Sequence, residues 1–131
     1  MNEHEAGFLE FLTEPSRRRV HKLLELGPRR RGDLRDLLSH KIRLDPRSSR
    51  PLTGSQSLPS GVEAILRKAG APDDCFLLSD DPSLDGRLLP LPTALDAVIG
   101  RGGTFLSSIP GRLAIYQFAE IKQTYLLHRA G

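Results

Sequence analysis

Basic side chains, which can bind anions, are concentrated in one quarter of the sequence. Between Arg17 and Arg50 there are twelve Lys and Arg but only four acids, a local net charge of +8. From residue 69 onward there are five bases and seven acids, a net charge of −2. Guanidinium groups bind phosphate through paired N–H donors, so this uneven field predicts an anionic partner. The residues predicted to bind a polyanion are Arg17, Arg18, Arg19, Lys22, Arg29, Arg30, Arg31, Arg35, Lys41, Arg43 and Arg47.

Two arginine triplets, at residues 17–19 and 29–31, each stand at the start of a predicted helix. Cations at that position oppose the helix dipole, and a phosphate held by guanidinium and backbone N–H groups would offset this cost. DNA or RNA is therefore a candidate partner, contacted through its phosphates in a salt-dependent and weakly sequence-selective way. The chain has five Phe, two Tyr and no Trp, and this scarcity of aromatic residues argues against base stacking. The alternative interpretation is a solvated face whose charges are balanced by nearby acids.

A second group of polar residues could instead form a small-ligand pocket. In the run SHKIRLDPR, His40 and Asp45 could act as a base and its orienting carboxylate, while Arg47 could hold an anion. The simpler interpretation places His40 at a helix end and Asp45 at the start of a turn.

The C-terminal half supplies the other candidates for this pocket. Ser107 and Ser108 lie in a predicted strand just before Arg112, and small polar residues beside an arginine could form a pocket floor. Neither serine has a G-x-S-x-G frame or an adjacent base, so a nucleophilic role is not favoured. Arg101, in the run GRGG, could contact a ligand, although glycines before a strand are in the wrong order for a phosphate loop. The residues of this alternative pocket are His40, Asp45, Arg47, Asp85, Arg101, Ser107 and Arg112.

No metal or cofactor is expected. The run DPSLDG, which contains Asp85, imitates the start of a calcium loop, but its twelfth position is Pro92 where a bidentate Glu is required. A turn is the favoured interpretation. The one cysteine, Cys75, can form neither an internal disulfide nor a zinc site. Without a specific catalytic motif, enzymatic activity stays open, and a non-catalytic role is favoured.

The length of 131 residues predicts a single domain. Residues 1–40 are expected to form a basic helical part, because apolar residues such as Val20, Leu23 and Leu24 recur at helical spacing between Pro and Gly breaks. Residues 41–59 contain three prolines and four serines and are expected to form a long loop. Residues 60–131 are expected to be an α+β part that begins with a helix over residues 60–70.

The strand pattern determines the expected fold class. Residues 75–79 are an apolar run typical of a central strand, and residues 87–91 predict a brief extended piece before a helix near Thr93. Residues 104–109, 112–118 and 123–129 predict an antiparallel meander, with a wider loop or a bulge at Pro110 and Gly111. We expect an α+β fold in which N-terminal helices pack on a small, mainly antiparallel C-terminal sheet of three or four strands, with one further helix.

The run FLTEPSRRRVHKLLELGPRRRGDLRDLL, from Phe11 to Leu38, resembles the first helices of bacterial winged-helix repressors. Those proteins have a helix of this kind, a Gly-Pro break and a short Leu-rich helix. The resemblance covers about a fifth of the chain. It implies that the later run SGVEAILRKAG is a DNA-recognition helix leading into a wing.

Three functional hypotheses follow. The first is a small, non-catalytic module that binds nucleic acid or another polyanion through the region between Arg17 and Arg50. The second is a small-ligand-binding or catalytic domain that uses the alternative pocket. The third is a protein-interaction domain that forms a homodimer through an open sheet edge at residues 123–129. The run MNEHEAGFLEFL has acids where a signal peptide has bases, and no apolar run approaches the roughly 20 residues of a membrane span. A soluble, cytoplasmic protein without a membrane partner is therefore expected.

Overall fold

A computed structural model describes residues 1–130 as an α+β fold with five α-helices and one six-stranded sheet. The helices are α1 (Glu3–Leu9), α2 (Glu14–Leu26), α3 (Arg31–His40), α4 (Pro59–Lys68) and α5 (Leu91–Val98). The strands are β1 (Ser49–Pro51), β2 (Asp74–Ser79), β3 (Leu88–Pro90), β4 (Thr104–Ile109), β5 (Leu113–Gln117) and β6 (Thr124–His128). Short 3-10 helices at Gly27–Arg30 and Gly54–Ser57 precede α3 and α4. Within residues 1–130, no helix has the length and apolar character needed to cross a membrane.

The strands lie in the order β1-β6-β5-β4-β2-β3, and every neighbouring pair is antiparallel. The predicted α+β class and the N-terminal helices on an antiparallel sheet are confirmed. The predicted number of strands was too small, because the sheet has six strands rather than three or four. The helices predicted over residues 60–70 and near Thr93 are formed as α4 and α5.

Helices cover both faces of the sheet. Neighbouring side chains on a strand point to opposite faces, so each central strand contributes to two cores. Phe105 of β4 packs in a core with residues of α1, α2 and α3, whereas the adjacent Leu106 packs in a second core with residues of α4 and α5. Every residue of β2 after Asp74 is buried, which confirms that this strand is central and two-sided.

Both edges of the sheet are strands of only three residues. β1 lies within the segment expected to be a loop, and it pairs with β6 from Ser49 opposite Leu127 to Pro51 opposite Tyr125. The strand at the C-terminal end of the meander therefore has neighbours on both sides, and the predicted open edge at residues 123–129 is wrong. Each true edge strand ends in a proline, Pro51 or Pro90, which has no N–H to offer to another chain.

The segment 41–58 carries the chain from one face of the sheet to the other. It begins antiparallel to residues 11–13, just before α2, where the Thr13 N–H donates to the Arg43 carbonyl (3.0 Å) and the Asp45 N–H donates to the Phe11 carbonyl (2.8 Å). Ile42 belongs to the core under α1–α3, whereas Leu52 belongs to the core under α4 and α5. The predicted loop is thus an ordered connection around the β1 edge.

This connection separates α3 from α4. Leu34 of α3 packs against one face of the sheet and Val62 of α4 against the other. A helix-turn-helix needs two helices in direct contact across a tight turn. The recognition helix and wing implied by the winged-helix resemblance are therefore not formed.

A buried ionic cluster joins α1, α3 and the β2–β3 loop. The Arg31 guanidinium donates to both Asp85 oxygens (2.7 and 3.2 Å) and to Glu5 Oε2 (2.9 Å). The Ser79 N–H donates to the same Asp85 carboxylate (3.1 Å), whose side chain is only 5% exposed. These carboxylates need Arg31, because an unpaired charge away from water is strongly destabilising.

We predict that Arg31→Met lowers the free energy of unfolding by about 3 kcal/mol, because Glu5 loses its cation and Asp85 keeps only the more distant Arg35, at 3.7 Å. The matched control is Arg30→Met, which breaks a pair with Asp33 in which both side chains are 58% exposed. The control should cost less than about 1 kcal/mol. Chemical denaturation of the two variants measures the difference, and equal losses would contradict a structural role for this cluster.

Candidate anion-binding surface

The twelve bases between Arg17 and Arg50 divide into two equal groups in the structure. Those within 4.0 Å of a carboxylate are Arg17, Arg18, Arg30, Arg31, Arg35 and Arg47. Those with no carboxylate partner among residues 1–130 are Arg19, Lys22, Arg29, Lys41, Arg43 and Arg50. Six of the eleven residues predicted to bind a polyanion are thus paired with a carboxylate of the protein itself.

The two arginine triplets lie at opposite ends of α2, which has 13 residues and is about 20 Å long. One member of each triplet has a structural role. Arg17 donates from Nε to the Leu9 carbonyl at the end of α1 (3.0 Å) and from Nη2 to the Leu12 carbonyl in the α1–α2 connection (3.4 Å). Arg31 holds the buried cluster described above. The triplets therefore do not combine into one patch.

Three of the unpaired cations instead surround one cavity, which we call the basic groove. Its volume is about 440 Å³, and it lies between the first turn of α2 and the segment that follows α3. No Asp or Glu lines it. The lining residues are Pro15, Ser16, Arg19, His40, Lys41, Ile42 and Arg43.

Backbone contacts hold the two walls of the basic groove together. The Arg43 N–H donates to Ser16 Oγ (3.0 Å), which connects the post-α3 segment to the first turn of α2. Ile42 is buried whereas Lys41 and Arg43 are exposed, so the two cations share the solvent side of an extended segment.

One further feature favours an anion in the basic groove, and one opposes it. α2 begins without a side-chain cap, and the positive end of its dipole favours negative charge at this end. His40 Nδ1 lies 2.7 Å from Glu120 Oε1 of the β5–β6 loop, so the rim carries one exposed acid that is already engaged.

The residues of the alternative pocket do not come together. His40 lines the basic groove, and Asp45 and Arg47 line a second cavity of about 400 Å³. Asp85 lines a third cavity and Arg101 a fourth, whose walls also carry Asp80, Asp81 and Asp96. Ser107 is fully buried, and Arg112 lies in the β4–β5 turn. The single ligand pocket expected from the sequence is therefore not formed.

The Asp45 and Asp85 regions are turns with internal partners. Asp45 accepts hydrogen bonds from the backbone and side chain of Arg47, and Asp81 accepts from Ser83, as expected for Asx turns. Within residues 1–130, no group of three metal-ligating side chains comes together. Burial raises the pKa of the Cys75 thiol to about 12, so the reactive thiolate is disfavoured there.

A serine–histidine contact that sequence reasoning missed involves Ser107. His4 Nδ1 lies 2.8 Å from Ser107 Oγ, and the His4 ring stacks on Phe76 with a centroid distance of 5.3 Å. A nucleophile must reach its substrate, but Ser107 is 0% exposed, so this contact fixes α1 on the sheet. Ser108 is also buried, since helices cover both faces of the sheet, and the β4–β5 register shifts between Ser107 and Ile109. That shift confirms the bulge expected near Pro110.

We predict that His4 makes the protein less stable in mild acid. Burial lowers the pKa of His4 below its ordinary value of 6.5, so the unfolded chain takes up a proton at a higher pH than the folded chain. The stability present above pH 6.5 should decrease as the pH falls from 6.5 towards 5. Denaturant unfolding between pH 7.5 and 5 should show this loss, and His4→Asn should reduce it. Identical pH profiles for wild type and His4→Asn would contradict the prediction.

The Arg17 contacts predict that substituting Arg17 lowers the unfolding free energy, whereas substituting Arg43 of the basic groove does not. Arg17→Gln removes the donors to the Leu9 and Leu12 carbonyls and should lower the unfolding free energy by about 1 kcal/mol. Arg43→Gln keeps the backbone bond to Ser16 and should change it by less than about 0.5 kcal/mol. Thermal and chemical unfolding of both variants test this, and a large loss in Arg43→Gln would show that its side chain is structural.

Comparisons of the chain with protein-family models, with curated proteins and with solved structures found no match.

Proposed function

We propose that the protein is a small, non-catalytic binding module that engages nucleic acid or another polyanion through the basic groove. One observation carries this proposal. Arg19, Lys41 and Arg43 have no acidic partner among residues 1–130, yet the fold brings them from two elements to one cavity.

The electrostatic repulsion among these three cations supports the proposal. Like charges around one cavity repel each other, and no carboxylate in the cavity wall relieves them. Elsewhere on the same segment, the fold pairs Arg47 with Asp45. An anionic ligand would remove the repulsion, through charge-assisted hydrogen bonds from guanidinium and ammonium groups.

The chemistry of the groove favours phosphate contacts over base contacts. Its walls hold no Phe, Tyr or Trp, so they provide no platform on which a base could stack. Contacts to phosphates position a nucleic acid without reading its sequence. Binding should therefore be salt-dependent and nearly independent of sequence.

We predict that the double variant Lys41→Gln/Arg43→Gln binds a fluorescent oligonucleotide at least tenfold more weakly than wild type at low salt, because each charge-assisted contact contributes about 1.5 kcal/mol. The slope of log K against log salt should decrease in magnitude by roughly 1.4 for a single-stranded probe. Fluorescence anisotropy between 25 and roughly 200 mM salt measures both quantities.

The control is Lys68→Gln, which removes an exposed positive charge from α4 on the opposite face of the sheet. It should bind like wild type. Equal affinity of the double variant and the control, or no binding of wild type to any polyanion at low salt, would contradict the proposed function.

A further inference from the structure

A second cavity without acidic lining lies farther along the segment that forms the basic groove. It has a volume of about 310 Å³ and lies against the β1 edge of the sheet; we call it the edge groove. Arg50, at this site, has no carboxylate partner among residues 1–130. The lining residues are Arg47, Ser48, Ser49, Arg50, Leu126 and His128.

Residues 41–50 form one continuous segment that contributes to the walls of both grooves. Leu44 forms a bridge to Leu12, so the segment that starts at Lys41 is extended there. Ile42 and Leu44 pack on the core, which leaves Lys41 and Arg43 exposed, whereas the Asp45 side chain is only 14% exposed.

An ion pair lies in the chain between the cations of the two grooves. Arg47 Nη2 donates to Asp45 Oδ2 (2.8 Å), and the Arg47 side chain is 87% exposed. The hydrogen bonds from Arg47 lower the pKa of Asp45 to about 2, so the pair stays ionised at neutral pH. The surface thus has two cationic ends and a neutral centre.

We infer that the partner is a flexible single-stranded nucleic acid whose phosphodiester chain follows residues 41–50 and occupies both grooves. This inference rests on the proposed function and names its ligand. A compact anion in one groove does not contact the cations of the other, because Lys41 and Arg43 line one cavity and Arg50 lines a separate one.

The path of residues 41–50 favours a flexible chain over a duplex. Ile42 packs on one face of the sheet and Leu52 on the other, so the intervening residues pass around the β1 edge. A ligand that follows them must bend over a distance of a few residues. Duplex DNA has a persistence length of about 50 nm and resists such a bend, whereas a single strand adopts it readily.

The lining of both grooves favours phosphodiesters over an acidic polypeptide. A protein partner is normally held by buried apolar or aromatic anchors at the centre of its interface. The apolar walls are Pro15, Ile42 and Leu126, of which Ile42 and Leu126 are buried in the cores. Exposed polar and cationic groups therefore make up most of what a ligand would touch.

The experiment compares four fluorescent probes by anisotropy at low salt. They are a long and a very short oligothymidylate, a duplex of the longer length, and a polyglutamate of similar charge. The proteins are wild type, Lys41→Gln/Arg43→Gln, Arg50→Gln and the control Lys68→Gln, each with its unfolding midpoint measured. Arg50 is an exposed residue of β1, so its substitution should leave the fold intact.

We expect Arg50→Gln to weaken binding of the long oligothymidylate about fivefold, and to reduce its salt slope by roughly 0.7. The short probe occupies only the basic groove, so Arg50→Gln should bind it like wild type. The duplex and the polyglutamate should bind at least tenfold more weakly than the long single strand.

Two kinds of failure are distinguishable. Absence of salt-dependent binding by wild type would overturn the proposed function itself. Binding of the long probe that depends on Lys41 and Arg43, but is as insensitive to Arg50→Gln as to Lys68→Gln, would leave the function standing and overturn the two-groove path. Tighter binding of the duplex would exclude the flexible single strand, and tighter binding of polyglutamate would assign the partner to acidic polypeptides.

Discussion

Helices cover the sheet on both faces, and this constraint determines where every other part of the protein can lie. α1, α2 and α3 occupy one face, and α4 and α5 occupy the other. Antiparallel sheets commonly leave one face in water, but here the central strands are apolar on both sides. The chain must therefore pass around an edge of the sheet between α3 and α4. The segment 41–58 makes this passage around the β1 edge. The same passage puts its polar side chains on the outside, where they can meet a ligand.

Arginines of the same sequence region have different roles because different groups lie beside their side chains. Arg31 lies opposite Asp85 and Glu5, and its charge is used to connect the helical layer to a sheet loop. Arg43 lies opposite a serine hydroxyl and two other cations, and its charge has no internal use. Net charge alone does not separate these roles, since both residues contribute equally to the local sum of +8.

The parts of the fold that were predictable from sequence are those in which local pattern and tertiary structure agree. Apolar runs and helical spacing located the central strand β2, the β4–β5–β6 meander and most helices. β1 was not recognised as a strand, and β3 was expected only as a brief extended piece, because three residues that include a proline have no periodicity. Both strands exist only because a neighbouring strand offers hydrogen bonds. The contact of His4 with Ser107 joins residues 103 positions apart, and no local signal marks it. For the surface, residue types correctly indicated cationic character, but the division into paired and unpaired arginines depends on acids as distant in sequence as Asp85.

The hydrogen bonds that hold the post-α3 segment against residues 11–16 also bear on how the protein would meet a ligand. Ordering a free chain costs roughly 1–2 kcal/mol of conformational entropy per residue. The backbone that carries Lys41 and Arg43 is already fixed by folding, so a ligand does not have to supply that free energy. The backbone of the basic groove is thus already ordered before any ligand arrives.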